Sequence, residues 1–471
     1  MAEAAPATSH RVRDYRKVSY WLESANDDLT PRPALRGAAE VDVAILGAGF
    51  TGLWTAYYLL LRDPSLKVAV VERHIAGFGA SGRNGAWCTA GFPVSLAVLE
   101  RRYGADQARA VAGAMAETVD EVGRAAKEEG IDAQFRKGGE LLIARGAHQL
   151  PTLEHEFQTL QRLGLAGGWA MLTAEELSAR LRVTRAVGAL YNPDCAVIHP
   201  GRLVRGLARA VEHRGGVIYE QSEVTHFTGG SRPHVTTPQG MLRAQTIVLA
   251  GEAYLTRLPA LHRDALPVYS LIVLSEPLTD DQWAQIGWEG NECVASARYT
   301  IDYLSRTVDG RILFGGRGAP YHFGSRIEDR FDRHGPTHAT LRRQLVNWFP
   351  ILKGIKFTHA WGGPLGVSRD WMPTMSYDTE TNIATARGYT GQGVATSNLS
   401  GRVLTDLITG ESSPITQLPT VGHRSRRWEP EPVRWLGVRF VQRGLRKLDD
   451  KAERTGQTPT GRSLAERLGG H

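Results

Sequence analysis

The chain has 471 residues, 42% hydrophobic and 22% charged, an ordinary balance for a soluble globular protein with room for more than one domain. Three widely spaced cysteines, Cys88, Cys195 and Cys293, exclude a disulfide framework and a cysteine metal site, and no metal is expected. No apolar run reaches the roughly 18 residues that span a bilayer and the N-terminus has no secretory apolar core, so a cytoplasmic location is expected.

The formal charge of +7 is unevenly placed. From Val421 to His471 there are twelve Lys/Arg against six Asp/Glu, so +6 of the +7 lies in that tail. The body is close to neutral, and the basic pI says little about a substrate.

In chain order, residues 1–40 read as a lead-in segment, disordered over 1–13. Val41–Leu46 reads as a buried strand, Thr51–Arg62 as the helix after it, and Leu66–Val71 as a second strand. Strand, glycine turn, helix and strand close in about 32 residues, the size of a parallel βαβ unit. Residues 98–129 read as helical and 139–144 as a strand. Thr173 and Glu176 make a capping box. A helix is predicted over 202–212, and strands over 217–224 and 246–250. Residues 266–274, 299–304 and 311–315 are β-rich, predicting a more antiparallel second domain. A late strand at 383–386 precedes a second glycine turn and a helix over 394–408. Residues 414–432 read as a linker. Pro432–Lys451 reads as one amphipathic helix with Leu436, Phe440, Val441, Leu445 and Leu448 at helical spacing.

Gly47-Ala48-Gly49-Phe50-Thr51-Gly52 fits a dinucleotide fingerprint. Gly47 permits the tight turn, Gly49 lets backbone approach phosphates, and Gly52 lets helix and strand pack. The helix start presents unpaired N–H groups and a positive dipole end to a pyrophosphate. Glu72, twenty residues after Gly52, is placed to accept hydrogen bonds from a ribose. That acid argues against NADP and leaves NAD and FAD open. Two further stretches favour the flavin. Gly77–Trp87 (GFGASGRNGAW) sets small residues around one Arg and one Asn. Gly388–Gly393 opens a second helix, whose dipole can meet charge on a reduced flavin.

The phrases VAILGAGFTGLWTAYYL, FGASGRNG, LRAQTIVLAGEAY, GRILFGGRG, WGGPLGVSRDWMPTM and GYTGQGVATSNLSGRVL together resemble the glycine/D-amino acid oxidase (DAO-type) flavoproteins. The lead-in SYWLESANDDLTPRPALRG and the tail phrase WEPEPVRWLG are similar to the γ-glutamylputrescine oxidase-like branch. The resemblance implies an α/β protein: a discontinuous Rossmann-type FAD-binding domain with a mixed sheet (41–95, 190–262, 355–413), an antiparallel-β/α substrate domain (96–189, 263–354) and a basic helical tail (414–471).

It also implies an FAD held by Gly47, Gly49, Thr51, Gly52, Glu72 and Arg73. Ala80, Ser81 and Gly82 match a phosphate loop, and Arg83, Asn84 and Gly85 would lie by the isoalloxazine. Val224 would meet the adenine, Ala250 and Gly251 form a second small-residue step, and Gly391, Gln392, Gly393 and Val394 would hold the pyrimidine edge. Ala86 stands where the branch has a glycine. The stretch from Trp361 to Met372 holds no cysteine, so the FAD is expected to be non-covalent.

The implied reaction is hydride transfer from the carbon beside an amine nitrogen to flavin N5, then hydrolysis of the imine, with electrons passing to O2 or a carrier. No lysine lies between Lys137 and Lys353 to serve oxygen. The candidate catalytic residues are Arg298 and Arg317 as carboxylate or phosphonate anchors, Asp302 for a substrate cation, and Tyr303 and Tyr389 as walls. Trp361 is a further wall. His199 is more readily a capping or core histidine than a catalyst. A tRNA-modifying flavoprotein and an NAD-dependent dehydrogenase are the alternatives. The near-neutral body argues against a nucleic-acid partner, and the tail is expected to dock on the body more readily than on a membrane surface or another subunit.

Overall fold

The computed structural model describes residues 13–317 and 321–469, without the side chain of Arg317. Of the expected disordered lead only Arg13 falls within them, paired with Asp329 at 2.6 Å.

Three short apolar runs build the heart of a six-stranded sheet. Val43–Leu46 lies at its centre, with Val68–Val71 on one side and Thr246–Leu249 on the other, all parallel. Val217–Tyr219 continues past Val68–Val71, and Ile383–Arg387 past Thr246–Leu249. Thr374–Asp378 closes that edge antiparallel. Runs such as VAIL and VAVV carry no polar face, because a parallel sheet is covered on both sides. Helix Phe50–Arg62 packs on one face with the late helix Gly393–Thr409 and helix Pro200–His213 beside it. The strand order reverses at Val43–Leu46, and ligands of open α/β sheets bind off the carboxyl ends of strands at such a point.

The second large sheet has eight strands. Their order is Phe357–Val367, Leu266–Ser275, Ile312–Arg317, Asp302–Arg306, Cys293–Ser296, Glu140–Ala144, Gly188–Asn192 and Ala170–Thr173. It is antiparallel except where Cys293–Ser296 runs with Glu140–Ala144. One side is sealed by an apolar cluster including Trp288, Phe314 and Trp348, to which helix Gly335–Trp348 contributes. A four-stranded sheet and a two-strand ribbon of Trp87–Thr89 with Cys195–Val197 complete the β-structure among the described residues.

Several boundaries differ from the sequence reading. The helical stretch 98–129 is two helices, Leu96–Tyr103 and Ala105–Glu128, because Gly104 turns the chain at φ +87°. Residues 357–367, grouped by sequence with the nucleotide-binding segments, pair along Leu266–Ser275 and belong to the eight-stranded sheet.

The C-terminal helix runs Val433–Thr455, and its packing splits the expected apolar face: Val441, Leu445 and Leu448 are half-buried, while the earlier positions are not. Val433, Leu436 and Phe440 are exposed. The buried side instead carries Arg434, Asp449 and Ala452. Polar partners on the body set the roll of this helix. Glu431 accepts from the Tyr321 hydroxyl (2.6 Å) and the Gly324 N–H (2.9 Å). Asp449 accepts from the N–H groups of Tyr299 (3.1 Å) and Thr300 (2.8 Å) and from the Thr300 hydroxyl (2.5 Å). The cations Arg443, Arg446, Lys447 and Lys451 point outward. Among the described residues no helix is long and apolar enough to cross a membrane.

Candidate active site

One cavity of about 840 Å³ begins at the carboxyl ends of the parallel strands and runs between the two large sheets. The three central parallel strands each deliver their next residues to it: Gly47 after Val43–Leu46, Glu72 after Val68–Val71, Ala250 and Gly251 after Thr246–Leu249. Val224 reaches it a few residues beyond Val217–Tyr219. At Gly47, φ is +106° and an added Cβ would sit 2.9 Å from the Ala250 carbonyl oxygen. At Gly52 a Cβ would run into the Gly47 carbonyl. Gly52 therefore does not line the cavity; it lets the helix start come close enough to do so. Helix Phe50–Arg62 has no side-chain cap from Gly49, and helix Gly393–Thr409 none from Gln392. Two helix N-termini, remote in sequence, thus open onto one space.

Side chains brace this groove. The Glu72 carboxylate accepts from Ala48 N–H (2.9 Å) and His74 N–H (2.8 Å), and burial pushes its pKa up. Ser81 Oγ accepts from Phe50 N–H at 2.8 Å, tying the phosphate loop to the first helix. Tyr389 accepts from the Thr51 hydroxyl at 2.9 Å and donates to Ser400 at 3.1 Å, joining the second glycine turn to the first. Half-buried Glu252 accepts from Gly366 N–H (2.6 Å) and Gly388 N–H (3.1 Å) and fixes the start of that turn. Arg83 is buried, paired with Asp332 at 2.5 Å, and donates to the Phe78 carbonyl at 2.7 Å. Arg73 pairs with Glu223 at 3.4 Å.

Gly47, Gly49, Thr51, Glu72, Arg73, Ala80, Ser81, Arg83, Asn84, Gly85, Val224, Ala250, Gly251, Gly391, Gln392, Gly393 and Val394 all line the cavity. Gly82 does not; a Cβ there would meet the Gly77 carbonyl, so its part is in loop packing. Ala86 adopts φ +67°, the left-handed region in which a glycine is at ease.

Beyond the groove the cavity widens against the eight-stranded sheet. Leu142, Ala295 and Tyr303 are partners in register on three adjacent strands, and all three line it. The Tyr303 hydroxyl bonds Ser270 Oγ at 2.9 Å, and its ring meets Trp87 edge-on at 6.2 Å. Arg298 lines this end with its charge already matched, by Glu453 at 3.3 Å and Asp449 at 3.8 Å.

Asp302 does not reach the cavity. Alternation along Asp302–Arg306 sends it to the face opposite Tyr303. There Ser296 and Trp348 Nε1 donate to it, and burial raises its pKa. Trp361 is likewise core, donating to the Arg83 carbonyl at 2.9 Å. The Arg317 side chain lies outside the described residues. His199 caps helix Pro200–His213: its Nδ1 accepts from Arg202 N–H, and burial lowers its pKa to about 4.

Beyond the groove, where Glu223 and Glu252 also line the cavity, four acids reach it that the motifs did not mark: Glu140, Glu156, Asp449 and Glu453. Only Glu140 left a trace in the sequence, a lone carboxylate opening the apolar run GELLIA. It accepts from Thr89 Oγ1 at 3.0 Å, and burial raises its pKa.

A family model described as FAD dependent oxidoreductase matches residues 42–407. The chain belongs to that family. Its cofactor is FAD, and the glycine cradle, the two open helix starts and the Glu72 carboxylate fit that group. Gamma-glutamylputrescine oxidoreductase of Escherichia coli is 32% identical over 407 residues, 86% of this chain and 92% of the relative. Glycine oxidase of Geobacillus kaustophilus is 25% identical over 80% of this chain and 95% of its own length. The crystal structure of that glycine oxidase aligns with a TM-score of 0.70 at 20% identity, covering 82% of this chain and 99% of that one. L-alpha-glycerophosphate oxidase from Mycoplasma pneumoniae, with FAD bound, aligns at 0.63 and 18% identity, covering 79% and 95%. These structures share the fold. The family membership removes the NAD-dependent alternative.

Proposed function

We propose that this flavoprotein oxidises the carbon–nitrogen bond of a primary or secondary amine, or of an amino acid. FAD, when bound, supplies the two-electron acceptor for the hydride on the carbon beside nitrogen; water hydrolyses the imine, and the electrons leave to O2 or a carrier. The observation that carries this reading is the single cavity, in which a dinucleotide groove continues into a chamber walled by Tyr303, Trp87, Leu142 and Ala295.

The chain's own residues have defined tasks. The two helix starts favour negative charge, one at the pyrophosphate and one, at Gly391–Val394, at the flavin's pyrimidine edge. Glu72 receives the ribose. The apolar and aromatic wall excludes water and orients the C–H. An alkylamine with a pKa of about 10 arrives protonated, and the chamber must desolvate it or take its proton. All three cysteines are buried, and none is among the described lining residues, which supports non-covalent FAD. The free cysteines also fit a cytoplasmic setting. The acids in the chamber disfavour a polyanion such as tRNA.

The test is anaerobic mixing of the yellow holoenzyme with primary amines, secondary amines and amino acids. Bleaching of the flavin band by at least one amine, with imine-derived carbonyl product, is the expected result. A flavin that no amine or amino acid reduces overturns the proposal.

A further inference from the structure

The C-terminal helix lies beyond the family's matched residues 42–407. One side of it is fixed to the body. Asp449 accepts from the N–H groups of Tyr299 and Thr300, Asp449 and Glu453 face Arg298, and Glu431, just ahead of the helix, accepts from the Tyr321 hydroxyl. These bonds set the roll of the helix, so its outer side is held toward solvent as a fixed surface. The short helix Leu464–Gly469 packs beside it, with Ala465 against Gly444.

That outer side is one stripe. Val433, Leu436 and Phe440 begin it, and Arg443, Lys447, Lys451 and Arg454 continue it, each three or four residues after the last. Such steps keep to a single helix face, and every one of these side chains is exposed. The first turns of the stripe are therefore apolar and the later turns cationic, with Asp450 the acid at its edge. The tail acids Asp449 and Glu453 are turned inward to Arg298, and the four cations have no ion-pair partner among the described residues. Leu464 and Leu468 add two exposed apolar side chains from the neighbouring short helix. Five of the ten large hydrophobic side chains exposed among the described residues thus lie in these two helices. Single exposed apolar residues are ordinary, whereas such a concentration beside unpaired cations marks an interaction surface.

We propose that this stripe docks the protein on the surface of an anionic lipid bilayer. Val433, Leu436 and Phe440 enter the boundary between headgroups and acyl chains, and the cations that follow them meet the headgroup phosphates. The pairing of the two residue types selects this partner. A nucleic acid would satisfy the cations but would leave the aliphatic side chains in water. The helix lies along the surface and does not cross it, since no described helix is long and apolar enough to span. Asp449 and Ala452, on its opposite side, line the cavity, so docking holds the substrate chamber one helix away from the lipid.

The experiment sediments the FAD-loaded full chain with vesicles of equal parts phosphatidylglycerol and phosphatidylcholine, and with vesicles of phosphatidylcholine alone. The protein is expected to pellet with the anionic vesicles, to be released as salt is raised, and to partition about tenfold or more weaker onto phosphatidylcholine alone. Lys447→Gln combined with Lys451→Gln is expected to weaken partitioning onto the anionic vesicles about thirtyfold. Leu436→Gln combined with Phe440→Gln is expected to weaken it about tenfold or more. Both variants change exposed side chains outside the cavity and should keep full flavin content and the parent amine kinetics in the absence of vesicles. Failure of the parent protein to pellet with anionic vesicles overturns the proposal. So does retention by tRNA on a filter without vesicle binding, which gives the stripe to a polyanion, or a dimer lost in the Leu436 and Phe440 variant without vesicle binding, which gives it to a second copy of the chain. Pelleting that both variants leave unchanged overturns the assignment to this stripe.

Discussion

At one end of the cavity a ligand meets mostly backbone: glycine Cα atoms, helix N–H groups and small side chains at the ends of parallel strands. At the other it meets individual side chains from separate segments: Trp87, Glu140, Glu156, Tyr303, Asp449 and Glu453. The first end is built for a group common to a whole family. The second is built for one chain's own substrate, and its last wall comes from outside the family domain.

The largest effect is expected in the groove. Gly52→Ala would drive a methyl into the Gly47 carbonyl and displace the helix start, so the purified variant should carry almost no FAD by absorbance and extraction. A fully yellow Gly52→Ala protein would break the distinction between a backbone end and a side-chain end. Glu72→Gln removes one charged acceptor while leaving the cradle. FAD affinity should fall about tenfold to a hundredfold, since a hydrogen bond to a charged group contributes about 1.5–3 kcal/mol, and equilibrium dialysis measures it.

The groove was legible in sequence because its residues are contiguous and its chemistry is that of the turn. Gly47, Gly49, Gly52 and Glu72 follow from one strand-turn-helix-strand spacing, and Gly391–Val394 from a second glycine-opened helix. The substrate end was not legible. Asp302 and Tyr303 are neighbours in sequence, but alternation along the strand buries one and shows the other to the cavity. Arg298 looked free to bind a carboxylate because its partners stand about 150 residues later. The tail looked like an apolar stripe with a basic face. Its position is set by three acids, Glu431, Asp449 and Glu453, whose partners only the folded chain brings near.

The two ends should also answer differently to pH. Glu156 lines the cavity with its pKa pushed up to about 7 by the protein around it, and the charge of Glu140 adds to the rise. A raised carboxyl is charged above its pKa, so a cationic substrate group near Glu156 is held best above pH 7 and less as pH falls through it. Between pH 8 and pH 6 the anionic fraction of such a group drops about tenfold. The KM for a cationic amine substrate should rise by up to that factor beyond the change shown by Glu156→Gln, and flavin content should not change over that range. A parallel loss of FAD, or identical profiles for the two proteins, would contradict the separation.

The smallest change is expected from Asp449→Ala. It removes the acceptor of three hydrogen bonds at residues 299 and 300. Unfolding stability should fall by about 1–3 kcal/mol in urea titration, FAD should stay bound, and amine KM should shift. Loss of FAD instead would mean that the tail supports the groove and not the chamber.

A crystal structure of the FAD-loaded protein addresses the continuity of the two ends. The expected density places the ribose on Glu72, the pyrophosphate on the Gly47–Gly52 helix start, and the pyrimidine edge on Gly391–Val394, with the flavin ring opening toward Tyr303 and the acids beside the C-terminal helix. A flavin ring whose reactive face is closed to Tyr303, Glu156 and Glu453 would show that the chamber described here is not where the amine reacts.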